Sequence, residues 1–144
     1  MPVNSMLAAK GRNVVTAAPG HTIAEVANLL ASKRIGAVVI ADPQGAIEGI
    51  VSERDVVKAV AEKGAAALGL PVREIMTHPV QTCSPDDTEA ALMSLMTVKR
   101  IRHLPVLQDG KLCGMISIGD VVKFRIEAIE RESDEMKAYI SSAG

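Results

Sequence analysis

Aromatic side chains are nearly missing from this chain. Its 144 residues hold one Phe (Phe124), one Tyr (Tyr139) and no Trp. A ring-bearing ligand therefore has no aromatic pair to stack between and must lie among aliphatic chains. Single-stranded nucleic-acid platforms, which rest on base stacking, are disfavoured on the same ground. An excess of charge is lacking too. Sixteen basic and 17 acidic residues leave a formal charge of −1, which gives no long-range attraction to nucleic acid or to an anionic membrane. Cysteine is scarce: Cys83 and Cys113 form no CxxC and no cluster with the three histidines. No metal is expected, and both thiols read as small core residues in a reducing compartment. No apolar run approaches the ~20 residues of a membrane span. The start, Met1 to Ser5, has neither the basic region nor the apolar core of a signal peptide. A cytoplasmic location is expected.

What the chain does have is a repeat. Thr22-Ile23-Ala24-Glu25, Leu29 and Lys33-Arg34-Ile35 are matched by Thr88-Glu89-Ala90-Ala91, Leu95 and Lys99-Arg100-Ile101. Gly49-Ile50-Val51-Ser52-Glu53-Arg54-Asp55 is matched by Gly114-Met115-Ile116-Ser117-Ile118-Gly119-Asp120. Two copies of one supersecondary unit are implied. Each is marginal by itself, so the halves should pack on each other. With 48% hydrophobic residues, together they can bury a sizeable core.

The first half predicts a strand at Val14-Val15-Thr16, then a helix capped by Thr22 with Glu25 in a capping box. Apolar Val26, Leu29 and Leu30 define its buried face. A buried strand follows over 37–41, then the turn Asp42-Pro43-Gln44-Gly45, a return strand over 47–51 and a helix from about Ser52. The second half predicts a strand over 80–83, a helix over 88–98, strands over 104–107 and 112–116, and a helix from about Gly119. The order is β-α-β-β-α, twice, an α/β (α+β) class. Residues 1–64 read as the first repeat, 65–71 as a small-residue linker, 72–125 as the second repeat and 126–144 as a helical extension. Val72-Arg73-Glu74-Ile75-Met76 resembles Val3-Asn4-Ser5-Met6-Leu7 ahead of the first repeat. Lys10 and Arg12 could reach a phosphate across a cleft between the halves, but a solvated basic loop is the default reading. Val122, Ile126, Ile129, Ser133, Met136 and Ile140 make a heptad-like seam on the last helix, which predicts a homodimer contact.

Ser52-Glu53-Arg54-Asp55 and Ser117-Ile118-Gly119-Asp120 each follow a glycine-led strand and open a helix. Ser at the cap and Asp three residues later could be capping alone. Asp, however, looks short for a role that usually takes Glu or Gln. A carboxylate projecting from a helix start can also accept both hydroxyls of a vicinal diol, and the helix N-terminus can receive phosphate. A cation at a helix start opposes the dipole, so Arg54 points to a nearby anion. The second copy has Gly119 there, and Arg102 and His103 are expected to compensate. The clefts are therefore expected to be unequal. No catalytic triad, zinc-hydrolase motif or P-loop is found, and an enzyme is not expected.

These motifs, with Glu74-Ile75-Met76-Thr77 and Arg100-Ile101-Arg102-His103-Leu104-Pro105-Val106, resemble a tandem cystathionine-β-synthase (CBS) domain pair, a Bateman module, over Val3 to about Lys123. The resemblance implies adenosine nucleotides bound in two clefts between the repeats, AMP foremost, with NAD(H) in the second cleft as a further expectation. It implies Asp55 and Asp120 on the ribose diol, and Ser52, Arg54, Ser117, Arg102 and His103 near phosphate or ribose. Thr16, Ile35, Gly36, Ala37, Thr82, Leu104 and Pro105 would line adenine. A regulatory module that reports energy or redox state to a separate target protein is the expected function. The alternative is a dimeric interaction scaffold with degenerate clefts.

Overall fold

The computed structural model describes residues 3–143; the outer limits of the first and last segments, at residues 1, 2 and 144, lie outside the described residues. Helix α1 (Val3–Lys10) opens the chain. The first half continues with β1 (Thr16–Ala17), α2 (Ile23–Lys33), β2 (Ala37–Ala41), β3 (Ile47–Ser52) and α3 (Glu53–Lys63). Two 3-10 segments, Gly64–Gly69 and Val72–Glu74, lead to α4 (Glu89–Lys99), β4 (His103–Gln108), β5 (Lys111–Ser117) and α5 (Ile118–Ala143). In the first half, β2 lies between a parallel β1 and an antiparallel β3. In the second half β4 and β5 pair antiparallel. The architecture is the mixed α/β class expected, with the long final helix in place.

Local chemistry explains the elements. Thr22 closes a full capping box with Glu25 at the start of α2. The Asp42 carboxylate accepts from the amides of Gln44 and Ala46 at 2.9 and 2.8 Å, which fixes the β2–β3 turn. Asp109 and Gly110 both take positive φ (54° and 76°), the geometry a tight β4–β5 hairpin needs.

The strand expected over 80–83 shrinks to one parallel bridge between Cys83 and Val106. The Cys83 amide donates to Pro105 O (3.0 Å) and the Leu107 amide to Cys83 O (2.8 Å). The next bond back would need an N–H at position 105, and proline has none. In the first half the equivalent residue is Val39, whose amide does donate, to Val15 O at 3.4 Å. Here β1 persists, although it begins only at Thr16.

Helix α1 was not legible as a helix, and it does not pack on the half it precedes. Val3, Met6 and Leu7 are buried with Leu92, Leu104, Val106 and Ile116 of the second half. Reciprocally, Val72, Ile75 and Met76 pack with Val26, Val38 and Val51 of the first. Two glycines receive these leads. A Cβ at Gly114 would lie 2.5 Å from a Leu7 methyl, and one at Gly49 would lie 2.5 Å from the Met76 sulfur. Each half thus carries a seat shaped for the other's leading segment.

Leu7 is 0% exposed. Leu7→Ala should therefore destabilise the fold by about 2–5 kcal/mol, the range for a buried leucine. Urea unfolding followed by circular dichroism should show one transition at a lower midpoint. Two separated transitions would contradict this coupling.

Candidate functional site

Both sequence-predicted aspartates sit where a strand turns into a helix. Ser52 ends β3 with extended backbone (φ −105°, ψ 167°) and caps α3. Its hydroxyl accepts from the Asp55 amide at 3.3 Å. Asp55 Oδ2 accepts in return from the Ser52 amide at 2.8 Å and from the Ser52 hydroxyl at 3.1 Å. Asp120 repeats this: Ser117 N donates to Asp120 Oδ2 at 2.8 Å, and Asp120 N to Ser117 Oγ at 3.1 Å.

The expectation that aspartate is too short to close a capping box is therefore wrong. The extended cap residue brings its amide down to the short carboxylate. The longer Glu25 arm reaches the Thr22 amide only at 3.5 Å. Capping, however, occupies one oxygen. Among the described residues, no protein hydrogen bond engages Oδ1 of Asp55 or of Asp120. Cap and ligand contact can be the same side chain.

In front of Asp55 lies a cleft of about 540 Å³. It brings together seven of the predicted residues: Gly36, Ala37, Ser52, Arg54, Asp55, Arg102 and His103. It adds Thr77 and Arg100, which sequence reasoning did not assign. Thr77 arrives because its backbone bridges Ile50 in both directions, at 2.9 and 3.1 Å. The first wall is held by the Glu53 amide, which donates to Gly36 O at 3.0 Å.

The other predicted residues fall outside this lining. Leu104 is fully buried in the second-half core and Pro105 is buried beside it. Strand alternation accounts for Leu104: if His103 faces the cleft, its neighbour faces away. Ile35 is half-buried against the first-half core, Thr16 is exposed in β1, and Thr82 is half-buried beside the Cys83 bridge.

Asp120 and Ser117 do not share the Asp55 cleft. Lys10, at the end of α1, places its ammonium 2.5 Å from Asp120 Oδ2 and donates to Met115 O at 2.7 Å. The residue read as part of a solvated loop is therefore a specific partner of Asp120. By register with Leu7 and Met76, Lys10 corresponds to Pro79, so Asp55 has no equivalent cation. Arg102 and His103, expected to compensate beside Asp120, line the Asp55 cleft instead.

Burial works to raise the Asp120 pKa, but the hydrogen bonds from Lys10 and from the Ser117 amide outweigh it. The net direction is downward. His103 lies within the influence of both aspartate neighbourhoods. Its imidazole is lowered first by burial and then by Lys10, against the opposing pull of Asp120 and Glu53. Burial and Lys10 together thus disfavour the charged ring. Cys83 is pushed up to about 12 by burial, then by Asp87 and Cys113, which leaves an unreactive thiol. Among the described residues no group of His, Cys, Asp or Glu is arranged to hold a metal. Among the described residues no helix is long and apolar enough to cross a membrane.

The CBS domain pattern matches residues 10–62 and 72–127. A CBS-domain containing protein of Agrobacterium tumefaciens is 49% identical, with a TM-score of 0.85 over 87% of this chain and 99% of its own. A CBS domain protein of Pyrobaculum aerophilum complexed with AMP is 31% identical, with a TM-score of 0.74 over 83% of this chain and 89% of its own. The CBS domain pair of protein MJ0100, in complex with 5'-methylthioadenosine and S-adenosyl-L-methionine, is 25% identical, with a TM-score of 0.80 over 89% and 98%. This chain spans 60%, 66% and 63% of the length of three curated relatives it matches.

Lys10→Met should let the Asp120 titration move up. The His103 titration should move up with it, since Lys10 lowers both. An Asp pKa depressed by folding gives stability that is present above the ordinary carboxylate value and is lost as pH falls through the folded value. The variant should thus be less stable near neutral pH and converge on wild type in acid. With the Lys10 side chain 39% exposed, solvent screening limits the difference to roughly 1 kcal/mol or less. Side-chain NMR titration checks the shifts, and unchanged titrations of both groups would refute the contact.

Proposed function

Because this chain belongs to the CBS domain family, with its pattern matched twice, we propose that it is a regulatory module. It binds an adenosine-containing nucleotide in the cleft before Asp55 and signals energy or redox state to a separate protein. The observation that carries this reading is the pairing of a spare carboxylate oxygen with a hollow large enough for a nucleoside. Asp55 Oδ1 takes the ribose diol. Ser52, Arg54 and the N-terminus of α3 receive the phosphate. Gly36, Ala37 and His103, whose charged form is disfavoured, form a wall suited to adenine, and the near absence of aromatics fits such a wall. AMP is the first candidate.

Asp120 and Ser117 make a second, unequal site. Lys10 already holds the carboxylate there, so a ligand must displace it or recruit it to a phosphate. NAD(H) belongs to this second site in our reading. Leu104 and Pro105, which are buried, take no part. Residues 1–64 and 72–125 act as the two repeats, 65–71 as linker and 126–144 as extension. Binding regulates only if two arrangements of the module differ in affinity for the ligand.

Homodimerisation through α5 is part of the same proposal. Val122, Ile126, Ile129, Met136 and Ile140 are 45%, 51%, 49%, 60% and 62% exposed. The expected heptad seam thus stands uncovered along a helix of 26 residues, about 39 Å long. The scaffold alternative rests on this same seam and dispenses with the cleft.

Isothermal titration with AMP, ADP, ATP and NADH separates the two. The proposal expects saturable heat with at least one of them, and no heat up to millimolar concentrations with all four would refute it. Asp55→Ala should abolish that heat while lowering apo stability by only about 1 kcal/mol, the worth of a cap. If the aspartate is a cap alone, stability falls and affinity stays.

For the dimer, sedimentation velocity of wild type and of an Ile126→Glu/Ile140→Glu variant gives the answer. A dimer that becomes a folded monomer is expected. A monomeric wild type would remove the seam from the account.

A further inference from the structure

The last helix outruns the body it belongs to. Val121 and Phe124 pack the start of α5 onto its own half. From Ile129 to Ser142 every residue is exposed. A helical stretch of that length is marginal in water by itself and takes its stability from packing. The seam of Val122, Ile126, Ile129, Ser133, Met136 and Ile140 is the apolar face that packing would cover.

The charges beside the seam say what covers it. With Ile126, Ser133 and Ile140 at a positions and Val122, Ile129 and Met136 at d, the e positions are Lys123, Glu130 and Lys137. The g positions are Arg125, Glu132 and Tyr139. In a parallel pair each g residue meets the e residue of the other helix's next heptad. Arg125 then meets Glu130 of the second copy, and Glu132 meets Lys137 of the second copy. Both contacts are attractive, and symmetry repeats each of them. In an antiparallel pair e faces e and g faces g. Setting a against d along this seam then brings Glu130 to Glu130, Glu132 to Glu132 and Lys123 to Lys137, all of like sign. The flanks are self-complementary in the parallel orientation and self-repelling in the other.

Arg125 also ties the seam to the fold. Its Nη1 donates to Glu89 Oε1 at 3.2 Å, while the side chain stays half exposed. A guanidinium carries several donors, so one arginine can hold Glu89 of its own chain and Glu130 of a second copy together.

We propose that α5 forms a parallel, in-register two-stranded coiled coil with α5 of a second copy. The inference rests on the dimer reading above and fixes its orientation. Both Asp120 sites then stand at one end of the pair, where the two α5 helices begin, and both helix ends at Ala143 stand at the other.

Charge exchange and crosslinking of the full chain test this. Glu132→Lys and Lys137→Glu, made singly, each turn an attractive contact of the parallel pair into a repulsive one, twice per dimer. Each should weaken the dimer about tenfold in sedimentation at low salt, and less at high salt. The combined Glu132→Lys/Lys137→Glu exchange should return to within about threefold of wild type. In an antiparallel pair Glu132→Lys only replaces one like-charge contact by another, and Lys137→Glu gains an attraction to Lys123, so neither weakens the dimer. Ile140→Cys should close a disulfide between copies under oxidised glutathione, with wild type as the control for Cys113. In an antiparallel pair these two positions lie roughly 27 Å apart along the axis, and a mixture of Val122→Cys and Ile140→Cys proteins crosslinks instead.

The antiparallel crosslink, with dimers that tolerate both single charge variants, overturns the proposal and leaves the seam as the interface. A dimer untouched by the charge variants and closed by neither crosslink is held elsewhere and overturns it as well. A monomeric wild type overturns it together with the seam and leaves the nucleotide reading standing.

Discussion

The structure depends on an exchange of leading segments between its two halves. Leu7 fills a place that only glycine at 114 leaves open, and Met76 fills the matching place at Gly49. Shape complementarity at interior packing density makes these contacts hard to relax, since a single added methylene already strains a core. Because α1 is buried in the second half, the chain runs back across itself, and neither half keeps a complete apolar core without the other. Both sites inherit their geometry from this arrangement. Lys10 reaches Asp120 because α1 is anchored beside β5, and Thr77 reaches the Asp55 cleft because Met76 is anchored beneath β3.

The asymmetry of the two sites has the same origin. The halves share the strand hairpin and the serine-capped start of the helix after it, but their leading segments end differently. One ends in a lysine that meets a carboxylate. The other passes through Pro79, which carries no charge to offer. Asp55 is left facing a hollow with three arginines at its mouth, while Asp120 is already paired. His103 stands near both. A near-symmetric scaffold thus presents one open and one occupied carboxylate, from differences at a handful of positions.

Much of this was legible in the residues. The repeat, the Thr22 and Ser52 caps, the hairpin turns and the seam of the last helix follow from spacing and residue type. What escaped had physical reasons. Val3 to Lys10 is too short for its periodicity to stand out, and its apolar face serves the distant half. The strand before β4 looked like its counterpart, but one proline at 105 withdraws the donor that would have extended it. Asp was judged by arm length alone, when the extended cap residue comes to meet it. Arg100 has no role assigned from the sequence, and only the meeting of the halves brings it to the cleft. Leu104 belongs to a cleft-wall motif in sequence, yet strand alternation turns it into the second-half core.

The crossed leading segments also speak to descent. A solitary ancestral repeat would have carried a Leu7-like residue with no seat of its own, beside a vacant glycine notch. Two such molecules could satisfy each other by trading arms around a two-fold axis, as in domain swapping. Tandem duplication would then have converted that pair into one polypeptide. Once linked, the copies were free to diverge at lysine and arginine positions that a symmetric pair must keep identical.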